Sequence, residues 1–293
     1  YAASDSDSTN SSVAIGAYAG RFAKNASDNT FVGTFAGTDN TSGSYNTFLG
    51  RSAGSENLTG SHNVYIGQQT GRKNSSGSDN VYIGSRAGNQ GDGGQRNILI
   101  GRFAGEHTAT NDNTLIGDES GRELITGSGN TFLGANSGKV LTEGTENVIL
   151  GFNAGSLAES IDQSIFVGAY AGASTVSGMN NTFVGSGSGQ SNQSGRENTF
   201  LGSRSGTTQI VGERNVFVGY LAGELSDTTN NTVALGYRAG RKDRGEQSTF
   251  IGSEAGQDNV SGVRNNFIGF RSGWLNSSGT DNLFAGVATG AGN

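Results

Sequence analysis

A glycine recurs through this chain at a nearly fixed interval, at Gly16, Gly33, Gly50, Gly67, Gly84, Gly101, Gly117 and onward to Gly286. There are seventeen such markers, spaced by 17 residues except for two intervals of 16, and each is followed four residues later by a second glycine. A period of this size marks stacked repeats, in which each unit buries its surface against its neighbours. The sequence therefore predicts an all-β, parallel β-solenoid (β-roll) of about seventeen 17-residue coils, one coil per repeat, continuous over residues 12–293. Residues 1–11 lie outside the register and read as an N-terminal arm or linker.

Composition narrows the choice. Only 32% of the 293 residues are hydrophobic, with 51 glycines and neither proline nor cysteine, so no large spherical core is expected. Disorder is the other class with such a composition, but a disordered tract has no reason to keep its apolar residues in register. The net charge of −6 and a pI near 5.0 argue against nucleic acid and anionic membrane as partners, and the Lys and Arg are scattered. Without cysteine there is no disulfide framework and no thiolate metal site. No apolar run approaches the roughly 20 residues of a membrane-spanning helix, so no membrane insertion of this segment is expected. The chain begins at Tyr1 without an initiator Met or signal peptide, which reads as processing or as a piece of a longer protein.

Numbering each repeat from one to seventeen, with the marker glycine fifth, separates its parts. Position one is Asn in thirteen copies. Position two is mostly β-branched, as in Val13, Thr30, Val64 and Ile98. Position three is aromatic at Phe31, Phe48, Tyr65, Tyr82, Phe132, Phe166, Phe183, Phe200, Phe217, Phe250, Phe267 and Phe284. Position four is Ile, Val or Leu until the last copy, which has Ala285. This is a short strand bounded by Asn and Gly.

Position eight is always Ala, Ser or Thr and position nine always Gly, which suggests a second short extended segment entering a bend. The paired glycines, as in Gly33 and Gly37, Gly50 and Gly54, or Gly67 and Gly71, are structural. Position seven varies freely (Tyr18, Gln69, Arg86, Glu119, Leu221) and is expected to face solvent. Positions ten to seventeen carry turn chemistry, often Asn-x-Ser/Thr-Gly. Both shortened copies lose their residue there, between Gly105 and Asn113 and between Gly240 and Ser248.

Stacked in parallel, such coils align identical positions into Asn, aromatic and aliphatic ladders, with an expected length of roughly 80 Å at about 4.8 Å per coil. Positions three and four are both apolar, yet neighbouring residues on a strand point to opposite faces. One row fills the interior. The other forms an apolar stripe that needs a cover, most simply the same stripe on other copies in a homotrimer. The alternative is a bulge at the marker glycine that turns both rows inward. No capping unit is recognisable at either end, so either the sequence is a piece of a longer protein or its coils are expected to continue end to end into another molecule as a filament.

Two segments carry a family resemblance. Ser12-Val13-Ala14-Ile15-Gly16-Ala17-Tyr18-Ala19-Gly20 and Thr232-Val233-Ala234-Leu235-Gly236 resemble the head repeats of YadA-like trimeric autotransporter adhesins. The commoner Asn-Thr-Phe-Leu-Gly-x-x-Ala-Gly form resembles repeats of bacterial surface and tail-fibre-like β-solenoid proteins. The resemblance spans about residues 12–290. It implies a trimer of parallel β-rolls at the cell surface that binds host or matrix ligands. The coil is longer than that family's usual head coil, and neck, heptad stalk and anchor barrel are not recognisable.

Chemical sites are sparse. His62 and His107 fall in turn segments and do not recur, so no catalytic constellation and no enzyme is expected. Asp28, Asp79, Glu146, Glu197 and Asp281 precede position one, but the glycine-aspartate signature of calcium β-rolls is missing, and neither metal nor cofactor is expected. The Gly185-x-Gly187-x-Gly189 run is a by-product of the repeat, and Trp274 reads as a surface aromatic. Position two alternates Thr irregularly with Val and Ile, which disfavours an ice-binding array. Six Asn at position twelve form sequons, Asn40, Asn57, Asn74, Asn192, Asn259 and Asn276, and the predicted exposed turn makes them candidate glycosylation sites. Their other reading is plain turn formation, which the sequence favours. The expected function is a structural subunit of an extracellular bacterial fibre or filament. The alternative is an adhesin or receptor-binding fibre that presents its turns.

Overall fold

A computed structural model describes residues 11–291 of the chain; residues 1–10 of the expected arm lie outside the described residues. The chain divides into two compact units, Tyr1–Asn147 and Val148–Asn293. Each is an all-β, parallel β-solenoid whose main ladder takes one three-residue strand from each repeat.

In the first unit the strands are β1 (Val13–Ile15), β2 (Thr30–Val32), β3 (Thr47–Leu49), β4 (Val64–Ile66), β5 (Val81–Ile83), β6 (Ile98–Ile100), β7 (Thr114–Ile116) and β8 (Thr131–Leu133). Each pairs in parallel with the next, position two against position two, so that Phe48 lies opposite Phe31 and Tyr65 opposite Phe48. The second unit contains β9 (Val148–Leu150), β10 (Ser160–Asp162), β11 (Ile165–Val167), β12 (Ser177–Met179), β13 (Thr182–Val184), β14 (Thr199–Leu201) and β15 (Val216–Val218). It continues through β16 (Val233–Leu235), β17 (Thr249–Ile251), β18 (Asn266–Ile268) and β19 (Leu283–Ala285). Apart from β10 and β12, which pair with each other, these strands form one parallel ladder in the same register.

Three strand residues per coil would leave most of the backbone unpaired, yet the ladder runs on through the turns. In the coil that contains β3, the amides of Thr47, Gly54, Glu56 and Leu58 donate to Asn63, Thr70, Arg72 and Ser75 of the next coil at 2.8–3.0 Å. Those of Gly50, Ser52 and His62 donate to Val32, Thr34 and Ser44 of the preceding one at 2.8–3.0 Å. Two internal turns, Ala53 to Gly50 and Asn57 to Gly54, use further amides. Buried backbone groups must be paired, and here the neighbouring coils pair them around the whole circumference.

The expected second extended segment around positions eight and nine is not present. That stretch is a turn, because Gly54 sits at φ 54° and Ser52 at φ 57°, values that no strand accommodates. Extended pairing beyond the main ladder occurs instead at positions fourteen to sixteen, in β10 and β12 and in the isolated bridges Thr126–Glu143 and Arg196–Glu213.

Candidate functional site

The pleat decides which apolar row is interior. Position three points inward throughout: Phe31, Phe48, Tyr65, Tyr82, Phe132, Phe166, Phe183, Phe200, Phe217, Phe250 and Phe267 are buried, and Phe284 is half-buried. The rings stack coil on coil, with centroids 4.8 Å apart for Phe48–Tyr65 and for Tyr65–Tyr82 and 4.9 Å for Phe183–Phe200. Leu99, Leu115, Ile149 and Ala234 interrupt them. Burial raises the Tyr65 phenol well above its ordinary pKa, and the neighbouring Tyr82 adds to the effect. The Tyr65 hydroxyl accepts a hydrogen bond from Asn74 at 2.8 Å.

The aromatic ladder is therefore core. The glycines fit around it in two ways. A Cβ on Gly54 would stand 2.5 Å from the Phe48 ring, and one on Gly33 would stand 2.5 Å from the carbonyl oxygen of Gly50 in the next coil. Gly37 and Gly71 repeat the first constraint, and Gly50 and Gly67 the second.

Two Asn rows complete the interior. Asn46 donates from Nδ2 to the carbonyl of Gly60, 14 residues on in its own coil, at 2.8 Å, and its Oδ1 accepts the amide of Asn63 in the next coil at 2.9 Å. One side chain thus closes a coil and ties it to its neighbour. That task requires a donor and an acceptor on one short stem. Position twelve forms the second row, where Asn57 donates to Asn40 Oδ1 at 2.6 Å and to Gly60 at 3.0 Å.

This placement corrects the exposed-turn expectation for the six sequons. Asn40, Asn57, Asn74, Asn192, Asn259 and Asn276 are all buried, and their Nδ2 atoms, which a glycan would occupy, are spent on interior acceptors. The reading as turn formers understated them too. In the second unit Asp243 takes an Asn place in a shortened coil. Its Oδ1 accepts from Asn259 at 2.5 Å and from the Gly245 amide at 3.2 Å, while Oδ2 is buried without a hydrogen bond. Burial pushes its pKa up to about 7, against the pull of those two donors and of the nearby Thr232 side chain.

Positions two and four point outward, which rules out a bulge that turns both apolar rows inward. Leu49 and Leu133 in the first unit and Leu201 and Ile268 in the second are 44–50% exposed. The outward rows at positions two and four carry no charged residue in either unit. Charge gathers on the turns, where it links successive coils: Arg96 pairs with Asp112 at 2.7 Å and Arg264 with Asp281 at 2.6 Å. These bonds hold both carboxylates below their ordinary pKa. Glu224, almost fully buried, takes both Arg204 and Arg241, at 2.5 and 2.7 Å.

Position seven is outward and partly exposed in most coils, but Leu221 is buried, at 4% exposure. The row has a property that sequence reading missed. Positions seven and seventeen are left-handed throughout, as at Phe35 (φ 63°), Ser52 (57°), Arg86 (60°), Asp28 (58°) and His62 (59°). A signal existed: neither position holds a single Val, Ile or Thr in any repeat, and β-branched residues tolerate this region worst.

His62 stacks on Tyr45 at 4.9 Å, and His107 contacts Glu123 at 3.1 Å. Trp274 lies under the Arg271 guanidinium at 4.9 Å. Among the described residues no three His, Asp or Glu side chains converge as metal ligands, and no helix is long and apolar enough to cross a membrane. Fold and surface together define a parallel β-solenoid repeat protein whose distinctive surface is an uncharged, outward sheet face. No protein-family model matches the chain, and comparison with curated proteins gives no match either.

Proposed function

We propose that this chain is a structural subunit of an extracellular bacterial fibre or filament, and that it assembles with copies of itself. One observation carries the reading: apart from Asn266, the outward rows at positions two and four are apolar or Thr-bearing, and they are partly exposed and uncharged. A soluble monomer rarely leaves so extended an apolar strip in water. Within each unit the backbone ladder supports a mechanical role, since turns as well as strands are tied to the neighbouring coils. The resemblance of Ser12–Gly20 to YadA-like head repeats and the absence of cysteine support an exported protein and a trimeric arrangement.

Sedimentation of the full chain, with electron microscopy of the same sample, tests this. Trimers, larger oligomers or filaments are expected, and a monomer of 29.9 kDa at every concentration overturns the reading. A second reading, an adhesin that presents its turns to a host or matrix surface, rests on exposed turn aromatics. Tyr18 and Phe35 stack in parallel at 5.2 Å, with Arg21 over the Tyr18 ring at 5.3 Å. Binding to matrix preparations that is lost in Tyr18→Ser/Phe35→Ser would favour it.

A further inference from the structure

The two units do not present the same outward face. Beside position four lies position six, also outward. In the first unit this third row is broken by Arg51, Arg102 and Asp118. In the second unit the three rows together contain no Asp, Glu, Lys or Arg, although the chain as a whole is 15% charged. Aromatic rings stand in the third row instead: Phe152, Tyr220 and Phe270 are 46–50% exposed, and Tyr220 and Tyr237 of adjacent coils stack at 6.0 Å.

The face has the dimensions of an interface. Nine strands at about 4.8 Å make a ladder roughly 40 Å long, and three outward residues with their side chains span about 20 Å. That is on the order of 800 Å², one partner's share of a standard protein–protein contact, and more than the roughly 300–600 Å² patch usual on a monomer. The surface is also periodic. Another ladder of the same spacing matches every ridge and groove at once, and sheets pack face to face about 10 Å apart.

From this geometry we infer that the outward face of residues 148–287, at positions two and four of its nine strands and position six just past each strand, is the surface on which a second copy of this chain packs. Exposed aromatic side chains along one side and the lack of charge in all three rows fit the composition of a specific contact. The inference rests on the self-assembly reading above and names the surface responsible for it.

The test uses the full chain and solution mass. The double variant Leu201→Lys/Ile268→Lys places charge in the second unit's face, and Leu49→Lys/Leu133→Lys places it in the first unit's face as a control. All four positions point outward, so circular dichroism should report an intact fold. The second-face variant is expected to fall to the 29.9 kDa monomer, with association weakened roughly 100-fold by facing like charges, while the control still assembles. Because the chain has no cysteine, Ile251→Cys provides an independent measurement: copies should become disulfide-linked under mild oxidation, and the same substitution at Leu49 should not link them.

Assembly that survives the second-face charges, or linking through Leu49→Cys alone, overturns this inference and leaves the self-assembly reading standing. A wild-type chain that is monomeric throughout overturns both. So does a monomer that pellets with crystalline polysaccharide through Tyr220 and Tyr237, since the face would then belong to a glycan.

Discussion

Asn259 donates its side-chain amide to Oδ1 of Asp243 at 2.5 Å, and nothing donates to the buried Oδ2 of the same carboxylate. In the first unit the equivalent row places Asn57 on Asn40 at 2.6 Å. A carboxylate thus occupies a place that the coils of Asn40, Asn57 and Asn259 give to an amide, and burial is what pushes its pKa up to about 7. Because the folded value lies above the unfolded one, the second unit gains stability from the protonated acid below about pH 4. It loses that stability as pH rises through 7, by on the order of 4 kcal/mol. Asp243→Asn should restore the amide row, raise Tm at pH 8 and flatten the dependence between pH 4 and 8. Thermal melts across that range check this, and a variant with unchanged pH dependence would refute it.

Asn46 both closes its coil and holds the next one. Replacing it with Ala leaves the Asn63 amide unpaired in the interior, at about 1–3 kcal/mol, and leaves the Gly60 carbonyl with the Asn57 side chain as its remaining donor. Asn46→Ser keeps an acceptor, as Ser164 does for Asn181 at 3.2 Å, and should cost roughly half as much. Urea denaturation of both variants measures the difference.

Phe183 lies between Phe166 and Phe200, with centroid distances of 5.0 and 4.9 Å. Phe183→Ala should cost about 3–5 kcal/mol, through lost burial and the cavity left in the stack. Phe183→Leu should cost far less, because Leu99 and Leu115 already fill this position in other coils. Near-equal Tm losses in the two variants would contradict the stacked-core account.

Ser52 is held at φ 57° by an amide hydrogen bond to Thr34 of the preceding coil at 2.9 Å. Ser52→Val puts a β-branched side chain into left-handed backbone and should cost about 1–2 kcal/mol although the site is on the surface. Ser52→Asn should be neutral or slightly stabilising, since Asn enters this region readily. Chemical denaturation separates the two outcomes.

The repeat, its period and the parallel register were legible in the sequence, because a ladder aligns the same position in every coil and each position keeps one kind of side chain. The structural glycines were legible for the same reason. The interior role of the Asn rows was not. Asn-x-Ser/Thr-Gly looks the same in an exposed turn and in a coil that folds its amide inward, and the partner that decides between them, such as Asn40 for Asn57, is 17 residues away. Likewise the left-handed backbone at Ser52 left only a faint trace, the absence of β-branched residues from its row, and the burial of Leu221 in that same row left none.

By itself, then, the sequence determined that the chain stacks 17-residue coils in register, and that one of two adjacent apolar rows must face away from the coil. Only the tertiary structure decided which. The aromatic row turns inward because Gly54 lets the backbone close over the Phe48 ring and Asn46 reaches Gly60 across the coil. Those are contacts between residues distant in the chain, and they set the phase of each strand about the coil axis, which a period alone leaves free.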